Sequence, residues 1–186
     1  MPRYFTTEAI GSSLFRSIGS VALKPKAFFA GLDRTDSYRN SIIFLLLLFS
    51  VPALIDGYLI DSKHLEVMFP VMEGFGMLLV WLWAGYIYWC VKLCTDQEMN
   101  HTSAFQLAAY CSIPLLLDIS PALFIPAFIW QLYLTRQGLI LHAGIERGSA
   151  TMIMVVPVIM AIAIFIAAII MMALMGKDVV TPYLQQ

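Results

Sequence analysis

From Met152 to Leu174 the chain runs for 23 residues without one charged side chain. As a helix rising about 1.5 Å per residue, this stretch is long enough to cross a hydrocarbon core of roughly 30 Å. The rest of the sequence agrees with a lipid solvent. Of 186 residues, 60% are hydrophobic and only 12% are charged; a water-soluble domain carries about 25% charged residues. There is too little charge to cover a water-facing surface. Mean hydropathy is +0.81, and a net charge of −1 with a pI near 6.3 gives no reason to expect nucleic acid as a partner.

Four further apolar segments precede the last one. Span one is expected over about Ser41–Ile60 and includes IIFLLLLF. It lies too far along the chain, and lacks the small-residue cleavage site, for a signal peptide, so it reads as a retained span. Span two covers about Val67–Leu93, with Trp81, Gly85, Tyr88 and Trp89 on one face that is expected to pack partly inside the bundle. Span three is placed at about Thr102–Leu117 and span four at about Pro121–Leu134 or beyond. Between them, Ser120 can cap and Pro121 can open the next helix, which predicts a tight helical hairpin. Its arms are short for a full crossing, so the hairpin either spans a thinned membrane or dips in and returns. The expected fold is all-α: a polytopic bundle of about five transmembrane helices, preceded by interfacial amphipathic helices. Residues 1–40 form the interfacial region, 41–175 the membrane domain and 176–186 a short tail.

Orientation follows from lysine and arginine. Arg3, Arg16, Lys24, Lys26, Arg34, Arg39, Lys92, Arg136 and Arg147 fall on one side of the five spans, and Lys63 and Lys177 on the other. Positive residues accumulate on the cytoplasmic side. The N-terminus is therefore expected inside an inner or plasma membrane and the C-terminus outside.

Within residues 1–40, Ile10, Leu14, Ile18 and Val21 recur at helical spacing, with Ser12, Ser13, Arg16 and Ser17 between them. A second segment, Lys24–Leu32, has Pro25 where a first helical turn tolerates it and Gly31 near its end. Arg16, Lys24, Lys26, Phe28 and Phe29 are the candidate lipid-surface contacts, since basic residues beside aromatic ones suit the headgroup region. A cytosolic cap packed under the spans is the other open reading.

Three stretches stand out: LKPKAFFAGL ahead of span one, AAYCSIPLLL from Ala108 to Leu117, and FIWQLYLTRQGLILHAGIERGSA from Phe128 to Ala150. Together they resemble the Yip family, five-span proteins named for interaction with Ypt/Rab GTPases. The last two are similar to the family's A-Y-x-x-x-P helix and its W-x-L-x-L-x-x-x-G-L connection. The Asp-Leu-Tyr-Gly-Pro motif of the eukaryotic members is absent, and the N-terminal region is shorter than theirs. The resemblance thus implies a minimal member of prokaryotic type and a membrane protein, rather than Rab binding or a reaction.

Catalytic motifs are missing, and no cofactor is implied: there is no G-x-S-x-G, H-E-x-x-H or phosphate-binding glycine loop. His64, His101 and His142 all fall in predicted aqueous loops, and Cys90, Cys94 and Cys111 lack the partners of a thiolate metal site. One constellation remains. Asp56, Glu73 and Asp118 fall toward the outer side in three different segments, with Asp61, His64 and Glu66 in the connecting loop. A carboxylate near membrane depth is costly, so the three form a candidate cation or proton cluster. Independent carboxylates reaching headgroup water are the plainer alternative. Two functional classes follow: a non-enzymatic adaptor or organiser, with lipids and membrane or peripheral proteins as partners, and a small transporter or channel. Ala163 and Ala167 form a small-xxx-small step suited to a second copy of the chain.

Overall fold

The computed structural model describes residues 5, 10–33, 38–60, 65–117 and 121–180. Among the described residues all the regular structure is helical, in the order α1 (Ile10–Leu23), α2 (Pro25–Ala30), α3 (Tyr38–Ile60), α4 (Leu65–Cys94), α5 (His101–Cys111), a 3-10 turn (Ile113–Leu117), α6 (Pro121–Leu141) and α7 (Arg147–Val180). The connections between the long helices are short, so consecutive helices return along one another.

The core lies around α5. Every residue from Ser103 to Pro114 is buried, and α3, α4 and α6 all pack on this segment. Its small residues, Ala104, Ala108 and Ala109, let the neighbouring backbones approach. Around it, α3 turns inward Ser41, Phe44, Leu45 and Leu48, and α4 turns inward Val80, Ala84, Ile87 and Val91. Both sets keep the three- and four-residue steps of one helical face. Asn100 opens α5 as its cap, its side chain accepting from the Ser103 amide at 2.7 Å.

α6 ends on a left-handed Gly144 (φ 75°), with the Ile145 amide donating to the Leu139 carbonyl at 3.0 Å. This is the six-to-one closure that glycine permits at a helix C-terminus. Pro52, Pro70, Pro126 and Pro157 each lie inside one of the four long helices, which continue through them.

Lipid-facing character is visible in what stays uncovered. The stretches Phe69–Cys94 and Arg147–Ile164 are long and apolar enough to cross a membrane, with mean hydropathies of 1.5 and 1.9. Only 22% and 18% of them is buried, whereas the core helix of a soluble protein would be mostly covered. Along α7 the buried side chains among those described stop at Met154.

Several expectations change. The expected face of α4 is split: Tyr88 is half-buried against the core, while Trp81 and Trp89 are 50% and 56% exposed. Trp83 and Tyr86 are half-buried as well, stacked on each other, and the Tyr86 hydroxyl donates to the Ile153 carbonyl of α7 at 2.7 Å. The hairpin arms are unequal. Its second arm continues to Leu141, while the first breaks at Ser112 and is sheathed by protein rather than lipid. α7 continues past the expected tail boundary to Val180. His142 is buried, and His101 is half-buried against Trp81 and Tyr88, so neither is a plain loop histidine.

Candidate functional site

The 95–100 and 142–146 loops meet at one end of the bundle, and α1 packs on α2. A small cavity of about 100 Å³ joins the two loops, lined by Glu98, Met99, Asn100, Ser103, His142 and Ala143. α2 packs on α6 beside them.

α2 divides the expected surface residues. Lys24 and Lys26 are exposed, but Phe28 and Phe29 are 1% and 0% exposed and belong to the core. This corrects their assignment to the lipid surface. The rings of Phe28 and Phe29 meet edge-on at 5.3 Å, Phe28 meets Tyr110 at 5.0 Å, and Tyr110 meets Phe44 at 4.7 Å. Phe5 extends this line, 5.6 Å from Phe44. The aromatic contacts bind α2 to α5 and α3, since α2 is too short to hold its own shape in isolation. Phe29 also reaches α6 where Gly138 lies: a Cβ there would stand 3.3 Å from its ring and overlap the Leu107 side chain.

On α1 the expected apolar stripe packs inward except at its start: Val21 is buried, Leu14 and Ile18 are half-buried against the core, and Ile10 is exposed. Ser13 and Ser17 are buried with them, whereas Phe15 is 76% and Leu23 82% exposed. Phe15, Arg16 and Leu23 fall within about 100° of arc at 3.6 residues per turn. Phe15 and Leu23 are thus the apolar surface residues that spacing alone missed. Buried serines in place of Ile10 were the obstacle, for serine carries no signal of burial in a sequence.

The same end holds an open-sided groove of about 550 Å³ between the end of α4 and the start of α5. Tyr88, Lys92 and the Thr95–Asn100 loop line it. The Lys92 ammonium sits 5.4 Å from the Trp89 ring centre and 5.9 Å from that of Tyr88, within cation–π range. The loop is pinned at its start by the Thr95 hydroxyl, which donates to the Val91 carbonyl at 2.7 Å. Nearby, the Arg136 Nε donates to the Thr151 hydroxyl at 2.8 Å and ties α6 to α7.

At the other end only part of the acidic constellation is described. Glu73 is half-buried and its Oε1 accepts from the Ser50 hydroxyl at 2.6 Å, which joins α4 to α3. Asp118 and the side chain of Asp56 lie outside the described residues. Ala163 and Ala167 are exposed on α7. The three cysteines are free thiols.

The three stretches singled out in the sequence meet at one crossing. Phe28 and Phe29 come from the first, Tyr110 from the second, and Gly138 from the third. A family model, the Yip1 domain, matches residues 18–170, from within α1 well into α7. Neither a curated protein nor a solved structure matches the chain. The match takes in all three stretches and most of the helical bundle, and the chain belongs to the Yip1 domain family of multi-pass membrane proteins.

Proposed function

We propose that this chain is a non-enzymatic adaptor or organiser of membrane processes that works through its basic end. The observation that carries this reading is the exposure of Phe15 and Leu23 beside exposed Arg16, Lys24 and Lys26, at one end of a bundle whose flanks are apolar. Such a surface suits the boundary of an anionic leaflet, where each basic residue contributes about 1 kcal/mol of attraction. The full-length protein, with Cys90, Cys94 and Cys111 replaced by Ala and an environment-sensitive dye on Phe15→Cys, should report a more apolar setting in anionic than in neutral vesicles. High salt should shrink the difference, as should Lys24→Gln with Lys26→Gln. Equal signals in both vesicles would refute leaflet contact. Partners co-purified from native membranes should be lost in the same lysine variant.

The proposed topology places this end in the cytoplasm of a cell with the chain in its inner or plasma membrane, through five crossings. Nine basic residues against two support it, together with the membrane-length apolar stretches of α4 and α7. Reporter fusions at Leu32, Glu146 and Gln186 should read inside, inside and outside. An inside signal at Gln186 would remove the odd number of crossings.

A small transporter using the outer carboxylates is the alternative, favoured by the Ser50–Glu73 bond between two membrane helices. Flux lost in Glu73→Gln, with partner capture intact, would select it. A second copy of the chain docking at Ala163 and Ala167 is compatible with either reading, and Ala163→Leu should weaken such a dimer in crosslinking experiments.

A further inference from the structure

We infer that the groove between α4 and α5 is a binding site for a zwitterionic phospholipid headgroup, one that carries a phosphate and an ammonium. The inference rests on membership of a membrane-protein family and not on the adaptor reading. Three observations bear on it.

First, the groove holds both signs of charge without cancelling them. Lys92, Asp96 and Glu98 all line it and are exposed. Among the described residues, Lys92 makes ring contacts but no ion pair, and neither carboxylate has a cationic partner. A ligand with one charge of each sign satisfies both.

Second, the order of the charges matches the order in the ligand. Lys92 lies in the last turn of α4, at the level of the Tyr88 and Trp89 rings. Such rings favour the membrane–water boundary. Asp96 and Glu98 follow in the loop, farther along the exit from the span. In a zwitterionic phospholipid the phosphate is attached next to the glycerol and the ammonium lies beyond it. Phosphate therefore meets the Lys92 ammonium while the headgroup amine donates to Asp96 and Glu98. An anionic lipid without the amine would place further negative or neutral groups against two carboxylates.

Third, the site is shaped and pinned. Its volume of about 550 Å³ lies within the ~300–1,000 Å³ of small-ligand sites. Thr95 fixes one end of the loop through Val91, and Asn100 fixes the other by capping α5. Binding then orders little additional backbone.

The test uses the full-length protein in detergent, titrated with short-chain phosphatidylethanolamine and, separately, short-chain phosphatidylglycerol, with bound lipid counted by native mass spectrometry. The wild type should bind phosphatidylethanolamine at least fivefold more tightly. Lys92→Gln should weaken both lipids. Asp96→Asn with Glu98→Gln should abolish the preference while leaving phosphatidylglycerol bound as well or better. An unchanged preference in that double variant overturns the assignment, as does a wild type that favours phosphatidylglycerol. Soluble phosphoethanolamine should bind at least tenfold more weakly than the lipid, and equal binding would overturn the lipid as its source. All of these residues are exposed, and a thermal scan of each variant should match the wild type.

Discussion

Phe28→Ala should lower the stability of the protein by about 3–5 kcal/mol, the range for removing a fully buried phenylalanine ring. Its ring is 1% exposed and touches both Phe29 and Tyr110 edge-on. Unfolding in mild detergent, followed by tryptophan fluorescence, is the measurement. Apolar burial between helices within lipid gains little, because lipid tails are as apolar as leucine. α2 is different: when it leaves the bundle end, its rings go to water or headgroups, so the transfer term is retained. Phe15→Ala serves as the reference, because Phe15 is 76% exposed and should change stability by less than about 0.5 kcal/mol. A double-mutant cycle between Phe28→Ala and Tyr110→Ala should return a coupling of about 0.5–1.5 kcal/mol for the ring pair. Were Phe15→Ala the costlier change, α2 would not be the clamp that its buried rings indicate.

Gly138→Ala should cost about 1–3 kcal/mol by overfilling a packed crossing. An alanine in a helix is otherwise favoured over glycine by about 1 kcal/mol, so the sign of the effect is itself diagnostic. The added Cβ would collide with the Leu107 side chain and press on the Phe29 ring at 3.3 Å. Leu107 is fully buried in α5, so shifting its end methyl displaces packed neighbours. Leu107→Ala alone should cost about 2–5 kcal/mol through the cavity it leaves. Combined with Gly138→Ala the total should fall below the sum, since the new methyl enters that cavity. Additive losses in the thermal scan would mean that the two positions do not touch.

The helices were legible in the sequence because hydropathy and proline and glycine punctuation mark them, and the family resemblance was carried by short stretches around Phe28, Tyr110 and Gly138. Their facing was much less so. In lipid both sides of a helix are apolar, so Trp81 and Trp89 gave no sign that they point outward, nor Phe28 and Phe29 that they point inward. Burial in α5 takes in small residues such as Ala104, Ala108 and Ala109, and polar ones such as Gln106, beside Phe105, Leu107 and Tyr110, so no apolar stripe marked it. The groove beside Lys92 escaped for another reason. Its charges are unremarkable one by one, and only the fold of the 95–100 loop places them around one cavity. Of the acidic constellation only Glu73 falls among the described side chains, and its bond to Ser50 was not foreseeable from spacing.

The sheathing of α5 also bears on how the protein is made. Eleven helical residues reach only about 16 Å, well short of a hydrocarbon core of roughly 30 Å. As it leaves the ribosome, this segment, with Ser103, Gln106 and Ser112 along it, has little tendency to partition into the bilayer alone. Its buried place is made by α3, α4 and α6, which all pack on it. On the proposed five-span topology, biogenesis is then not a tally of independent insertions, since α5 depends on those neighbours for its place.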